Sequence, residues 1–198
     1  MFAASHKLIA RSVYEILKDQ LGITLDCRSL LSGSIAPDIN PRMIFLPHTT
    51  NATMNIVKTN IDWLKDREIP VTKKDNAAFS YKLGIVIHFL SDYFCKAHNE
   101  KRYDNFLHHY IYERKLKIYL EKRMKKCKSL NEFLKPFDWQ SGGDIYEFIG
   151  NKLQDYNSTE RRMSEDIKYS MGVCAAVTLN IASCCISNTV SEILESVA

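Results

Sequence analysis

The chain is poor in residues that break a backbone, with seven glycines and five prolines in 198 positions. That supply is too small for a collagenous repeat, a disordered linker or an all-β fold of many tight turns. Six cysteines are present (Cys27, Cys95, Cys127, Cys174, Cys184 and Cys185), but none has CxxC spacing, and they read as reduced thiols in a helical core. No run of eighteen apolar residues occurs, and the opening stretch MFAASHKLIARSVYEILKDQ is amphipathic and charged, unlike a basic tip followed by an apolar run. Neither a signal peptide nor a membrane span is read, so the expected location is cytoplasmic. A strong charge of one sign is also missing. Lysine plus arginine number 27 against 23 acidic residues, a net +4 that does not by itself imply a nucleic-acid protein.

What is there is 45% hydrophobic and 25% charged, enough to build one core, so residues 1–198 are read as a single domain of long helices and short loops. Ile9, Val13, Ile16 and Leu17 recur at helical spacing and predict a helix over residues 5–19. GSIAPDINPRMIFLP, Gly33 to Pro47, carries three prolines and reads as an ordered loop. Thr49 or Thr50 caps a helix to about Asp66, and Asp75 or Asn76 is expected to cap a central helix, AAFSYKLGIVIHFLSDYFCKAH, apolar nearly all round. Asp104 is expected to open a further helix that becomes basic, and Ser129 with Glu132 has capping-box spacing. FDWQSGGD reads as a turn, residues 144–155 as helix, and Ser158 or Thr159 as the start of a last long helix with Gly172 as a kink.

Only six histidines are present, yet His88 and Asp92 stand four apart on the central helix, as do His109 and Glu113 on the next. An i, i+4 pair of imidazole and carboxylate projects from one helix face and can grip a cation; zinc accepts such N and O ligands. His98 lies six residues beyond Asp92, which on an unbroken helix turns it about 120° away, so either the helix ends or His98 faces a neighbouring metal. Asp38 follows Pro37 in the loop, where a turn or cap role is the simpler alternative. His108 points away from His109 and reads as a surface or supporting residue.

In order and spacing, the GSIAPDINP loop, FLPH, HFLSDYFCKAH and HYIYE resemble the zinc-dependent phospholipase C family, whose fold is shared with single-strand-specific zinc nucleases. The resemblance implies an all-α multi-helix bundle with a metal cluster in its core cleft. It implies that His48, His88 and Asp92 hold one zinc with Asp38 beside it as ligand or general base, and that His98, His109 and Glu113 hold a second. In the family a third zinc is shared with the carboxylate matching Asp92 and held by an early histidine, here His6, and by the amino group of an N-terminal tryptophan, where this chain reads Met1-Phe2-Ala3. Two tight zinc ions and a third, weaker one are therefore expected. Phe45 matches an aromatic residue that faces the substrate headgroup, whereas Ile39 stands where phosphatidylcholine-cleaving members place another aromatic.

The implied activity is hydrolysis of a phosphodiester by metal-activated water, with a lipid headgroup as substrate. Two alternatives remain open: a nuclease-like phosphodiesterase on the same fold, and a silent metal-binding or interaction domain. The basic run from Arg114 to Lys128 suggests peripheral contact with an anionic membrane, against the simpler reading of a solvated face; a nucleic-acid partner is less favoured.

Overall fold

The computed structural model describes residues 1–137 and 143–197, and among them there are helices and no strands. Helix α1 runs Ala3–Leu21, and its buried face carries Ile9, Val13, Ile16 and Leu17 as their spacing predicts. Its terminus is set by Gly22, in the left-handed conformation at φ +68°, whose N–H reaches the carbonyl of Lys18.

The Gly33–Pro47 stretch is more ordered than a loop. Two short helices, α2 (Cys27–Gly33) and α3 (Ala36–Ile39), occupy or border it. Asp26 caps α2 by accepting the N–H of Ser29, a signal present in the sequence but weak in so short a segment. Helix α4 spans Thr50–Lys65 and buries Val57, Ile61 and Leu64.

Helix α5, Lys73–Tyr93, is the centre of the fold and packs against α1, α2, α4 and the last helix. It starts three residues earlier than expected, because Thr72 is its cap and accepts the N–H of Asp75. Asn76 serves another purpose: its amide accepts the backbone N–H of Asp26 and donates to the carbonyl of Thr24, which ties α5 to the start of α2. Where α2 crosses α5, side chains are excluded. A Cβ on Gly84 would lie 2.3 Å from the carbonyl oxygen of Leu30, and one on Gly33 would lie 2.0 Å from that of Tyr81. The two backbones therefore touch directly.

After Tyr93 the helix stops. Short helix α6, Lys96–Asn99, follows at once, and the Asn99 amide donates to the carbonyls of Tyr93 and Cys95 that the break leaves unpaired. A 3-10 turn at Lys101–Tyr103 leads to α7, Phe106–Lys126, whose cap is Asn105 and not Asp104. Ser129 caps a single 3-10 turn, Leu130–Phe133, while Glu132 faces Arg123 instead of closing a capping box. The FDWQSGGD turn falls largely on residues 138–142, outside the described residues.

Helix α8 covers Ile145–Ser158, capped by Asp144. Ser158 and Thr159 thus end α8 and do not begin α9, which is continuous from Met163 to Val197. Gly172 gives close approach where a kink was expected: a Cβ there would lie 2.0 Å from the Phe137 ring. Continuity also corrects the reading of apolar length. By length and mean hydropathy, 1.6, Met163–Ser196 is apolar enough to cross a membrane, yet 78% of its apolar window is buried inside the protein. All six cysteines are free; Cys95, Cys174 and Cys185 are buried and the other three half-buried.

Candidate metal centre

Around Asp92 the fold gathers seven other candidate ligands from six segments: α1, α3, the residues before α4, α5 itself, α6 and α7. Asp92 is fully buried, and each of its oxygens meets imidazoles. Its Oδ2 lies 2.9 Å from His48 Nδ1 and 3.3 Å from His88 Nε2, while Oδ1 lies 3.1 Å from His98 Nε2 and 3.5 Å from His6 Nε2. The break after Tyr93 is what folds His98 back onto Asp92.

Three groups have ligand atoms close enough to share an ion: His6, His88 and Asp92; Asp38, His48 and His88; and His98, His109 and Glu113. The last is joined by 2.8 Å from His109 Nε2 to Glu113 Oε1 and 3.3 Å from His98 Nε2 to the same oxygen. Asp38 Oδ1 stands 3.8 Å from His48 Nδ1 and 3.7 Å from His88 Nε2, and its side chain remains partly open to solvent. The amino nitrogen of Met1 sits within the cluster, 2.5 Å from Asp92 Oδ1, 2.9 Å from His98 Nε2 and 3.0 Å from Glu113 Oε1.

Two supporting residues escaped the sequence reading. His88 Nδ1 donates to the carbonyl of Ser34, 2.9 Å away, which leaves Nε2 with its lone pair toward the cluster. Ser91 Oγ gives its proton to the carbonyl of His88, so it accepts from His6 Nδ1 at 2.9 Å. His6 Nε2 is then a bare lone pair, fully buried, with no hydrogen-bond partner. An unsatisfied buried nitrogen facing a buried carboxylate is costly without a ligand and fits a cation well. The donor set of imidazole nitrogens and carboxylate oxygens suits zinc.

The electrostatics agree. Burial, and then the neighbouring imidazole of His88, push His6 well below its usual value, and burial likewise lowers His88 to about 3, so both are neutral ligands. Burial would raise Asp92, but the neighbouring His98 and amino terminus, with the hydrogen bond from His48, outweigh it and hold the carboxyl well below the usual range. Glu113 is depressed in the same way: burial is outweighed by the amino terminus and by His109 and His98. Of the three cluster carboxyls only Asp38 goes up, to about 6, through burial and then the charge of Asp92.

The cluster opens into a cavity of about 600 Å³ whose walls include Phe2, Ile44, Tyr103, Asp104 and Phe106. Ile44 lines it, whereas Phe45, the expected headgroup contact, points outward and is 90% exposed. Asp104 is a further wall residue that the sequence reading treated only as a cap. His108 stays outside, near the carbonyl of Arg102.

An all-helical fold with histidines and carboxylates converging on one buried aspartate defines a metal-binding helical protein. A family model described as zinc dependent phospholipase C matches residues 5–169, a span that includes all eight candidate ligands, and the chain belongs to that family. No curated protein and no solved structure matches it.

Proposed function

We propose that this protein is a zinc-dependent phospholipase C-type hydrolase that cleaves a phospholipid at the phosphodiester, releasing a phosphorylated headgroup and an alcohol. The observation that carries the reading is Asp92, whose two oxygens reach histidines from all three ligand groups beneath an open cavity lined by His48 and His98. His48, His88 and Asp38 would hold one zinc, His98, His109 and Glu113 a second, and His6 with Asp92 a third. Zinc, when bound, neutralises phosphoryl oxygens and lowers the pKa of an attacking water toward about 7.

The chain supplies the rest. Asp38 is only half-buried and, at about 6, is more basic than an ordinary carboxylate, so near neutral pH it is ionised and able to take the proton of the attacking water. Ser34 and Ser91 hold His88 and His6 in the tautomers that present Nε2. The oxygen of water bonds to phosphorus, the bond to the lipid alcohol breaks, and that alkoxide takes up a proton.

The cavity wall favours a lipid over a polynucleotide. Phe2, Ile44 and Phe106 line it, and among the described residues no lysine or arginine does. Asp104, beside Tyr103 and Phe106, offers a carboxylate among aromatics, the chemistry that receives a cationic headgroup. The test is hydrolysis by the zinc-loaded protein of a panel holding short-chain phosphatidylcholine, phosphatidylethanolamine and a single-stranded oligonucleotide. Release of phosphocholine or phosphoethanolamine is the expected result. Cleavage of the oligonucleotide alone would replace the reading with a nuclease, and no cleavage of any would leave a binding domain.

A further inference from the structure

Apolar side chains stand in water around the mouth of the cavity, and they come from two segments. One runs from Ile39 at the end of α3 to Ile44 and Phe45 before α4; the other opens α7 with Phe106, Leu107 and Tyr110. Phe45 is 90% exposed, Phe106 83% and Leu107 60%. Ile44 and Phe106 line the cavity itself, so both segments belong to its rim. The ring of Tyr110 lies 5.3 Å from that of Phe2 and 6.4 Å from that of Phe106, making an aromatic group at the edge. Scattered single apolar residues need no explanation, but a group encircling a site marks a contact surface.

The rest of α7 indicates what is contacted. From Leu107 and Ile111 the exposed stripe continues at three- and four-residue steps through Arg114, Ile118, Lys122 and Lys125. Aromatic and aliphatic groups sharing a helix face with lysine and arginine are the composition of a surface that lies on a membrane, its apolar groups among acyl chains and its cations on anionic headgroups. A single-stranded polynucleotide could stack on the phenylalanines but would leave the aliphatic Ile39, Ile44 and Leu107 in water, and a second copy of the chain would bring like charges together.

We propose that the cavity mouth is a lipid-docking face, in which Phe45, Phe106 and Leu107 enter the acyl region of a phospholipid surface while Arg114, Lys122 and Lys125 along α7 hold its anionic headgroups. The inference rests on the phospholipid reading of the cavity. A scissile phosphate need not leave the bilayer completely, because the rim reaches down to the lipid and the metal ligands lie at the cavity floor.

The test is co-sedimentation of the zinc-loaded full chain with phosphatidylcholine vesicles, with and without about one-third phosphatidylserine. Partitioning should fall about 10- to 100-fold in Phe45→Ser with Phe106→Ser, the range expected when large apolar side chains no longer enter lipid. Arg114→Gln with Lys125→Gln should lower binding about fivefold per charge on the anionic vesicles only. Leu107→Ser, outside the cavity wall, should lose vesicle binding while hydrolysing a monomeric short-chain phospholipid as the parent does. Unchanged sedimentation of the phenylalanine pair overturns the docking face, as does a solution dimer that Phe106→Ser dissolves. The two readings fail separately: rim-dependent vesicle binding without hydrolysis of any phospholipid removes only the catalytic one, and hydrolysis with rim-independent binding removes only this one.

Discussion

Nε2 of His98 lies 3.1 Å from Oδ1 of Asp92 although six residues separate them. An unbroken helix would carry the two apart, and the break after Tyr93, braced by the Asn99 amide, turns His98 back. Asp92 thereby meets His88 on α5 and His98 on α6, and His98 in turn reaches Glu113 on α7.

If that bridge organises the centre, His88→Ala and His98→Ala should each release metal, and from different ions. Native mass spectrometry is expected to show less zinc in both variants. Full zinc content in both would remove these residues from the ligand set.

Asp38→Asn keeps the shape of the side chain and removes its basicity. Turnover should drop by roughly 10² to 10⁴ in protein that still carries zinc, the range for a lost general base. The sign of the pH dependence is fixed: a base works above its pKa, so activity of the zinc-loaded parent should fall with acidification on a limb below about 6, the value at which Asp38 gains its proton without metal. Zinc favours the carboxylate and moves that limb to lower pH. A zinc-loaded Asp38→Asn protein with the parent's turnover and acid limb would exclude the role.

Much of this centre was legible because four-residue spacing on a helix needs no tertiary knowledge. His88 with Asp92 and His109 with Glu113 announce themselves, and the apolar pattern of α5 places the first pair in the core. What stayed hidden depends on how segments meet. Ser34 supports His88 through a carbonyl, which carries no residue signature, and Ser91 matters only because His6 from α1 lands beside it. Phe45 and Ile44 are neighbours in a loop, and which of them faces the cavity is decided by chain direction that composition does not encode. The early start of α5 was missed because Asp75 and Asn76 are themselves good caps, while Thr72 takes that place.

Gly84→Ala should weaken the centre from a distance. The added methyl would fall 2.3 Å from the carbonyl oxygen of Leu30 and push α2 off α5, moving Ser34 away from His88. Overpacking of this kind costs about 1–3 kcal/mol. Thermal denaturation should register the loss, and zinc affinity should fall with it. Parent stability in the variant would mean that α2 shifts without strain.

Asp166 anchors the other side. Buried on α9, it accepts the hydroxyls of Tyr112 and Tyr156, both at 2.7 Å, and the N–H of Lys96 at 3.1 Å, and so pins α6, α7 and α8 together. Burial raises it to about 6, and the hydrogen bonds from Tyr112, Lys96 and Tyr156 only partly offset this. Because the folded carboxyl binds its proton more tightly than the unfolded one, its contribution to stability is complete below about 4 and is lost as pH rises through about 6. Asp166→Asn should remove that component of the pH slope and cost about 1–3 kcal/mol at pH 4 through a mismatched hydrogen bond. An unchanged slope of melting temperature against pH from 4 to 6 would assign the titration elsewhere.

The third metal position is the weakest by construction. His6, His88 and Asp92 supply its side chains, His88 is shared with the Asp38 and His48 group, and the nitrogen of Met1 stands 2.5 Å from the same carboxylate. Burial would lower that amino group, but Asp92 and Glu113 outweigh it and raise it to about 12, so without metal an ammonium neutralises the two carboxylates. His6 is already neutral and adds no pH dependence of its own. A cation arriving at Asp92 must therefore displace or deprotonate the ammonium, and each ion bound there should release protons, which ties occupancy to pH. Two zinc ions should survive dialysis against a mild chelator while the third is lost first, its occupancy rising between about pH 6 and 8. His6→Ala should abolish only this ion. Elemental analysis across that pH range decides the matter: three equally tight ions without pH dependence would mean that the amino group does not compete for Asp92.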